Sequence, residues 1–120
     1  MVVVDHLGKP DVTEAPPYPS FAPVLALARH PKVWVKVGDD QIASRMPSPW
    51  PDTFPFVAAL PEAFGRERML WGTGYTNEAR LVPLAEARRS LQHDLPSLTA
   101  ADRAAILGTT PSDLFDFAQA

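Results

Sequence analysis

Three short runs of β-branched and apolar residues recur along this chain at a nearly constant interval, and no other feature restricts its fold as much. Val2 to Asp5, then Val33-Trp34-Val35-Lys36-Val37, then Met69-Leu70-Trp71-Gly72 have the length and residue types of strands. Their starts at Val2, Val33 and Met69 lie about 31 and about 36 residues apart. A helical pattern fills each interval. Ser20 is placed to cap a helix through His30, with Phe21, Val24, Leu25 and Ala28 on one apolar face and Pro31 ending it. Thr53 is placed to cap the next, which carries Phe56, Val57 and Leu60, is kinked by Pro61 and stops at Gly65. That period is the period of a βα unit, so the three strands are expected to run parallel and in sequential order.

The remaining elements follow from start and stop signals. Of 14 prolines, 11 lie at or before Pro61, which leaves the first half room only for short strands, loops and brief helices. The second half reads as helical. Pro83 suits the first turn of a helix to about Gln92, and Thr99 with Asp102 makes a capping-box pair ahead of Ala104 to Leu107, with Gly108 as the stop. Thr110-Pro111-Ser112-Asp113 repeats the arrangement before Leu114, Phe115 and Phe117. The fold class is therefore α/β, in one domain of 120 residues. Three strands are too few to close a parallel barrel.

Composition removes several function classes. Eleven Lys and Arg against 14 Asp and Glu give a net charge of -3, so no basic field exists to hold nucleic acid or an anionic membrane. No apolar run approaches the roughly 18 residues of a spanning helix. With no cysteine, disulfides, thiolate zinc sites and a thiol nucleophile are excluded. Met1 leads straight into Val2-Val3-Val4 without a basic region, so a cytoplasmic, unprocessed chain is expected.

Alternation along the strands sorts the polar residues. Val33, Val35 and Val37 form one face of the second strand and are the natural surface for helices; Trp34 and Lys36 face the other side. Alternation groups His6 with Val2 and Val4, and Asp5 with Val3. Val2, Val4, Trp34 and Leu70 are expected to form an uncovered apolar patch. A lysine within a strand needs a carboxylate or water partner, so Lys36 reads as structural. In a parallel sheet the ends bearing His6, Asp39 and Gly74 share one edge, where α/β proteins usually hold ligands.

The segments Val4-Asp5-His6-Leu7-Gly8-Lys9-Pro10, Val33-Trp34-Val35-Lys36, Phe64-Gly65-Arg66-Glu67-Arg68-Met69-Leu70-Trp71-Gly72-Thr73 and Ile106-Leu107-Gly108 before Leu114-Phe115 occur in a familiar order. In this the chain resembles the C-terminal part of the amidohydrolase-related family, in the branch with pyrone dicarboxylate lactonase and fuconolactonase. The resemblance implies a partial (β/α)8 TIM barrel, with these strands as numbers six, seven and eight, helices on one face and extra C-terminal helices. It makes residues 1–120 a single C-terminal fragment of such a barrel. It also implies that His6 is catalytic, acting on the scissile carbonyl near a divalent metal such as zinc where one is bound. Lys9 resembles the basic residue that pairs with a substrate carboxylate.

One departure bears on the chemistry. The family carries Gly-Thr-Asp or Gly-Ser-Asp at the end of strand eight, and that aspartate binds metal or activates water. Here Gly74 stands in its place, in Gly72-Thr73-Gly74. The first-strand His-x-His pair has no counterpart either, and His30 and His93 read as surface residues. No tightly bound metal is therefore expected. Thr110 replaces the family's asparagine. Asp39, Asp40 and Glu78 lie near the same edge as possible substitutes, although Asp39-Asp40 reads more readily as a loop or cap signal. Two functions stand: a lactonase-like hydrolase of a small carboxylated or cyclic ester substrate, inactive as these 120 residues alone, or a non-catalytic family member. The second acts through self-association, as a homo-oligomer, or by docking on a complementary barrel segment. A chain that starts directly at a strand favours truncation or a gene that begins upstream.

Overall fold

The computed structural model describes residues 1–74 and 82–116. Its three strands, β1 (Val2–Val4), β2 (Val33–Val37) and β3 (Met69–Trp71), form one parallel sheet in the order β1-β2-β3. The register pairs Val4 with Val35 and Lys36 with Leu70. The interval after β1 holds α1 (Ala22–Ala26) and a 3-10 turn to Arg29. After β2 come the single turn α2 (Asp40–Ala43) and the longer α3 (Phe54–Phe64). The C-terminal part has α4 (Leu84–Arg89), α5 (Ala100–Ala104) and α6 (Thr110–Phe115), with π-helical turns over Ser90–Asp94 and Ala105–Thr109. Among the described residues no helix is long and apolar enough to cross a membrane.

The core forms where expected. Val33, Val35 and Val37 are buried together with Phe21, Phe56, Val57, Leu60 and Phe64 from the intervening segments, and Leu91, Leu95, Leu98 and Ile106 join from the C-terminal helices. Tyr18 meets Phe56 at a tilt and Phe21 meets it edge-on, at 4.8 and 5.1 Å between ring centres. Arg68 ties the two βα units together. Its guanidinium donates to the carbonyls of Phe64, Ala28 and His30, so one side chain serves the C-terminal ends of two helical segments.

Several local expectations need correction. The helix after Ser20 starts one residue later, at Ala22, and its α-helical part is short, and Ser20 bonds the Glu14 carboxylate instead of capping it. Thr53 precedes α3, but its hydroxyl donates to the Trp50 carbonyl. Thr99 and Asp102 do form the capping box. Gly108 does not stop the chain: helical geometry runs from α5 through the π turn into α6. A glycine inside a helix costs only about 1 kcal/mol against alanine, and burial of Ile106 and Thr110 on either side outweighs that. Thr110 bonds the Arg66 carbonyl, which fastens this helix to the turn before β3.

The uncovered face also differs in membership. The register sets Val2 and Val4 beside Val33 and Val35, on the helix-packed side, and Val4 packs on the core. Val3 and Trp34 share the opposite face with Lys36 and Leu70. Leu70 is only 5% exposed. The C-terminal helix comes round to this side, and Thr110, Asp113 and Leu114 line a cleft with Trp34. The open part of the face is smaller than the sequence pattern suggests.

Where β2 ends, Gly38 has φ +127, and a Cβ there would run into the backbone oxygen of Gly72. Both the dihedral and the close approach of β3 demand glycine. Gly38→Ala is expected to lower stability by more than about 2 kcal/mol, since the strained backbone region alone costs 1–3 kcal/mol. Urea unfolding followed by circular dichroism measures this; a loss below about 0.5 kcal/mol would show that the two strand ends are not held this closely.

Candidate active site

The carboxyl ends of all three strands meet at one buried carboxylate. After β1 the chain makes a left-handed turn, with φ of 49, 56, 74 and 53 at His6, Leu7, Gly8 and Lys9. The N–H of Gly8 donates to the Asp5 carbonyl and that of Lys9 to the His6 carbonyl, each at 2.8 Å. Four successive positive φ values are costly for side-chain-bearing residues. Leu7 offsets this by burying fully in the core, and Gly8 supplies the position where a Cβ would strike Val24. The turn carries His6 out of the face that strand alternation assigns it and over the end of β2.

There the His6 ring meets Asp39, with Nδ1 2.8 Å from Oδ2. Asp39 itself has φ +62, the second of two positive-φ residues between β2 and α2, and its side chain is fully buried. The Gly74 N–H donates to both carboxylate oxygens at 3.2 Å. Lys36, in β2 and three residues before Asp39, places its ammonium 3.4 Å from Asp39 Oδ2 and 2.5 Å from Asp5 Oδ1. Its stem crosses β3 at Gly72, where a Cβ would lie 2.5 Å from Lys36 Cδ. The hydrogen bond from Lys36 holds the Asp5 carboxyl below the usual range despite its exposure. The structural reading of Lys36, a strand lysine in need of a carboxylate, therefore meets two of them.

His6, Lys9 and Asp39 line a single cleft of about 270 Å³, closed on its apolar side by Pro10, Ile42 and Ala43. The two residues that sequence pointed to are thus brought together. Asp39 is the one it undervalued: it follows β2 where a cap is expected, yet its side chain makes no cap bond. Gly74 is described and contributes its N–H; Glu78 lies outside the described residues. His30 and His93 are exposed and far from this edge in role: His30 Nε2 accepts from Arg29, and His93 closes the π turn.

A divalent ion fits this donor set poorly. Asp39 and Asp5 both face the Lys36 ammonium, and one His6 nitrogen is taken by Asp39. Among the described residues no group of three or more His, Asp or Glu side chains is arranged to hold a metal.

The model of the amidohydrolase family matches residues 1–117. This chain belongs to that family. It is 31% identical over 119 residues to the 4-sulfomuconolactone hydrolase of Hydrogenophaga intermedia, across 94% of this chain and 38% of that protein. A Pseudomonas putida structure assigned as a 2-pyrone-4,6-dicarboxylic acid hydrolase superposes on 98% of the chain with a TM-score of 0.79 and 31% identity, using 44% of its own length. An amidohydrolase of Burkholderia multivorans solved with bound zinc shares the fold at 24% identity and a TM-score of 0.76, over 95% of this chain and 43% of that one. The chain therefore spans about two-fifths of the length of these relatives. The amidohydrolase-barrel strands with their helices, expected from the resemblance, are the fold observed.

Beside the cleft, Asp40 is 3% exposed, and Oδ1 has no hydrogen-bond partner. Burial first, and repulsion from Asp39 second, push its carboxyl from 3.8 up to about 6. Between those two values the unfolded chain has released the proton and the folded one has kept it, so stability falls as pH rises across that window and is level above it. Asp40→Asn is expected to remove this slope and to stabilise the protein at pH 7 by about 2 to 3 kcal/mol, with no gain below about pH 4. Thermal unfolding of both proteins across pH 3.5 to 7.5 reads the difference; parallel curves would mean that Asp40 is ionised in the fold.

Proposed function

We propose that residues 1–120 are the C-terminal share of a lactonase-type amidohydrolase whose substrate is a small cyclic ester bearing a carboxylate. The observation that carries this reading is the convergence of His6 and Lys9 on one cleft at the carboxyl edge of the strands, in a chain whose relatives include a sulfomuconolactone hydrolase. Lys9 offers its ammonium to the substrate carboxylate, Ile42 and Ala43 take the apolar ring, and His6 stands at the ester carbonyl. No step in this reading passes through a metal.

The described groups line one side of a site and act as a unit with groups contributed by further barrel strands. Groups that act together are not rescued singly, so the 120 residues by themselves bind such a substrate without turning it over. Gly74→Asp alone restores nothing. Titration of labelled protein with 2-pyrone-4,6-dicarboxylate is expected to shift the resonances of His6, Lys9 and Ile42, while a neutral lactone of similar size leaves them in place. Lys9→Ala should weaken this binding roughly tenfold, the worth of a charge-assisted hydrogen bond. Equal binding of the neutral lactone, or shifts elsewhere, would count against the reading. Lactone hydrolysis abolished by His6→Ala, with or without zinc, would overturn the inactivity of the isolated chain.

The half-exposed Val3 and Trp34 support a second reading, a non-catalytic member that works through self-association or a complementary barrel segment. A dimer at tens of micromolar, dispersed by Trp34→Glu, is its expected signature in sedimentation. A strictly monomeric species would remove the self-association.

A further inference from the structure

We propose that Asp39 has taken over from the strand-eight carboxylate whose place Gly74 occupies, and that through Asp39 the site's general base is His6, acting by Nε2. This rests on the lactonase reading above. The carboxylate of Asp39 lies directly against the backbone N–H of Gly74, with both oxygens at 3.2 Å. A side chain from the end of β2 thus brings its charge to residue 74, where the residue itself has none to offer. It is not an exposed loop acid: its side chain has no solvent exposure.

The hydrogen-bond inventory around Asp39 decides the tautomer of His6. Its neighbours are the Lys36 ammonium at 3.4 Å from Oδ2, the Gly74 N–H, and the Gln41 side-chain amide donating to Oδ1 at 3.5 Å. All are donors, so the carboxylate acts as acceptor throughout. His6 Nδ1, 2.8 Å from Oδ2, must then carry the ring proton in the neutral imidazole, and the lone pair is left on Nε2. Asp5 Oδ2, at 3.8 Å, is too far to compete for Nε2, and Asp5 is engaged by Lys36. His6 also lines the cleft that holds Lys9.

The chemistry balances with water as the only co-reactant. Nε2 takes a proton from water as the water oxygen bonds to the lactone carbonyl carbon, and the carbonyl π pair moves to its oxygen. That pair then returns, the ring C–O bond breaks, and the proton on Nε2 passes to the departing alkoxide. The product is the hydroxy acid. His6 is the catalytic residue in this account, Asp39 positions it, and Lys36 holds Asp39.

The test reads the tautomer in the folded 120-residue chain by long-range ¹H–¹⁵N spectra at alkaline pH, where histidine side chains are neutral. His6 is expected in the Nδ1–H form, and exposed His93 in the Nε2–H form that free imidazole prefers. Asp39→Gly suits the left-handed φ and removes the acceptor; His6 should then shift toward the His93 pattern. Asp39→Gly combined with Gly74→Asp should bring the Nδ1–H form back. A native His6 in the Nε2–H form, or a folded Asp39→Gly protein with an unchanged tautomer, overturns the proposal. Carbethoxylation of the native chain needs no variant: reaction at His6 Nε2 supports the assignment and reaction at Nδ1 refutes it. If pyrone dicarboxylate fails to bind while His6 keeps its Nδ1–H form, the substrate reading falls and the Asp39–His6 pair stands.

Discussion

The carboxylate of Asp39 is the point on which the strand ends depend. It is fully buried, and partners from every strand end converge on it: His6 from beyond β1, Lys36 from β2, and the Gly74 N–H from beyond β3. Burying a carboxylate without such partners costs several kcal/mol. The same contacts that satisfy it hold the three loops at fixed distances from one another. The architecture of the cleft and the solvation of one side chain are therefore a single problem. The backbone serves this problem too, since Asp39 is left-handed, Gly38 lets β2 end close to β3, and Gly72 leaves room for the Lys36 stem.

The adjacent Asp40 shows what happens without that convergence. Two consecutive aspartates leave β2, both almost wholly buried, and their hydrogen-bond partners differ. Asp39 finds donors on both oxygens. Asp40 has one oxygen without a partner and the charge of Asp39 beside it; burial first, and that charge second, push its carboxyl up to about 6.

Much of this was legible in the sequence, and the limits are physical. Valines at period two sorted the face of β2, and the strand interval gave parallel order, because both are local patterns. Lys36 announced its need for a carboxylate, but not which one. Asp39 was undervalued because Asp-Asp after a strand is the ordinary signature of a cap, and only a 35-residue separation closed by the sheet brings it to Gly74. His6 was placed on a face by alternation, which the left-handed turn cancels. Val2 and Val4 were assigned to the open side because register between parallel strands is not written in either strand alone. Gly108 misled as a stop, since a glycine's effect depends on the burial of its neighbours.

The crossing of Lys36 over Gly72 also restricts the order in which this sequence can change. A side chain at 72 collides with the middle of the Lys36 stem, not its flexible tip. Residue 72 can acquire a Cβ only after 36 has become shorter. Shortening 36 withdraws the ammonium from Asp5 and Asp39 together. Each first step therefore passes through an intermediate that has lost either room or charge. The pair is expected to behave as one heritable unit, exchanged together or not at all.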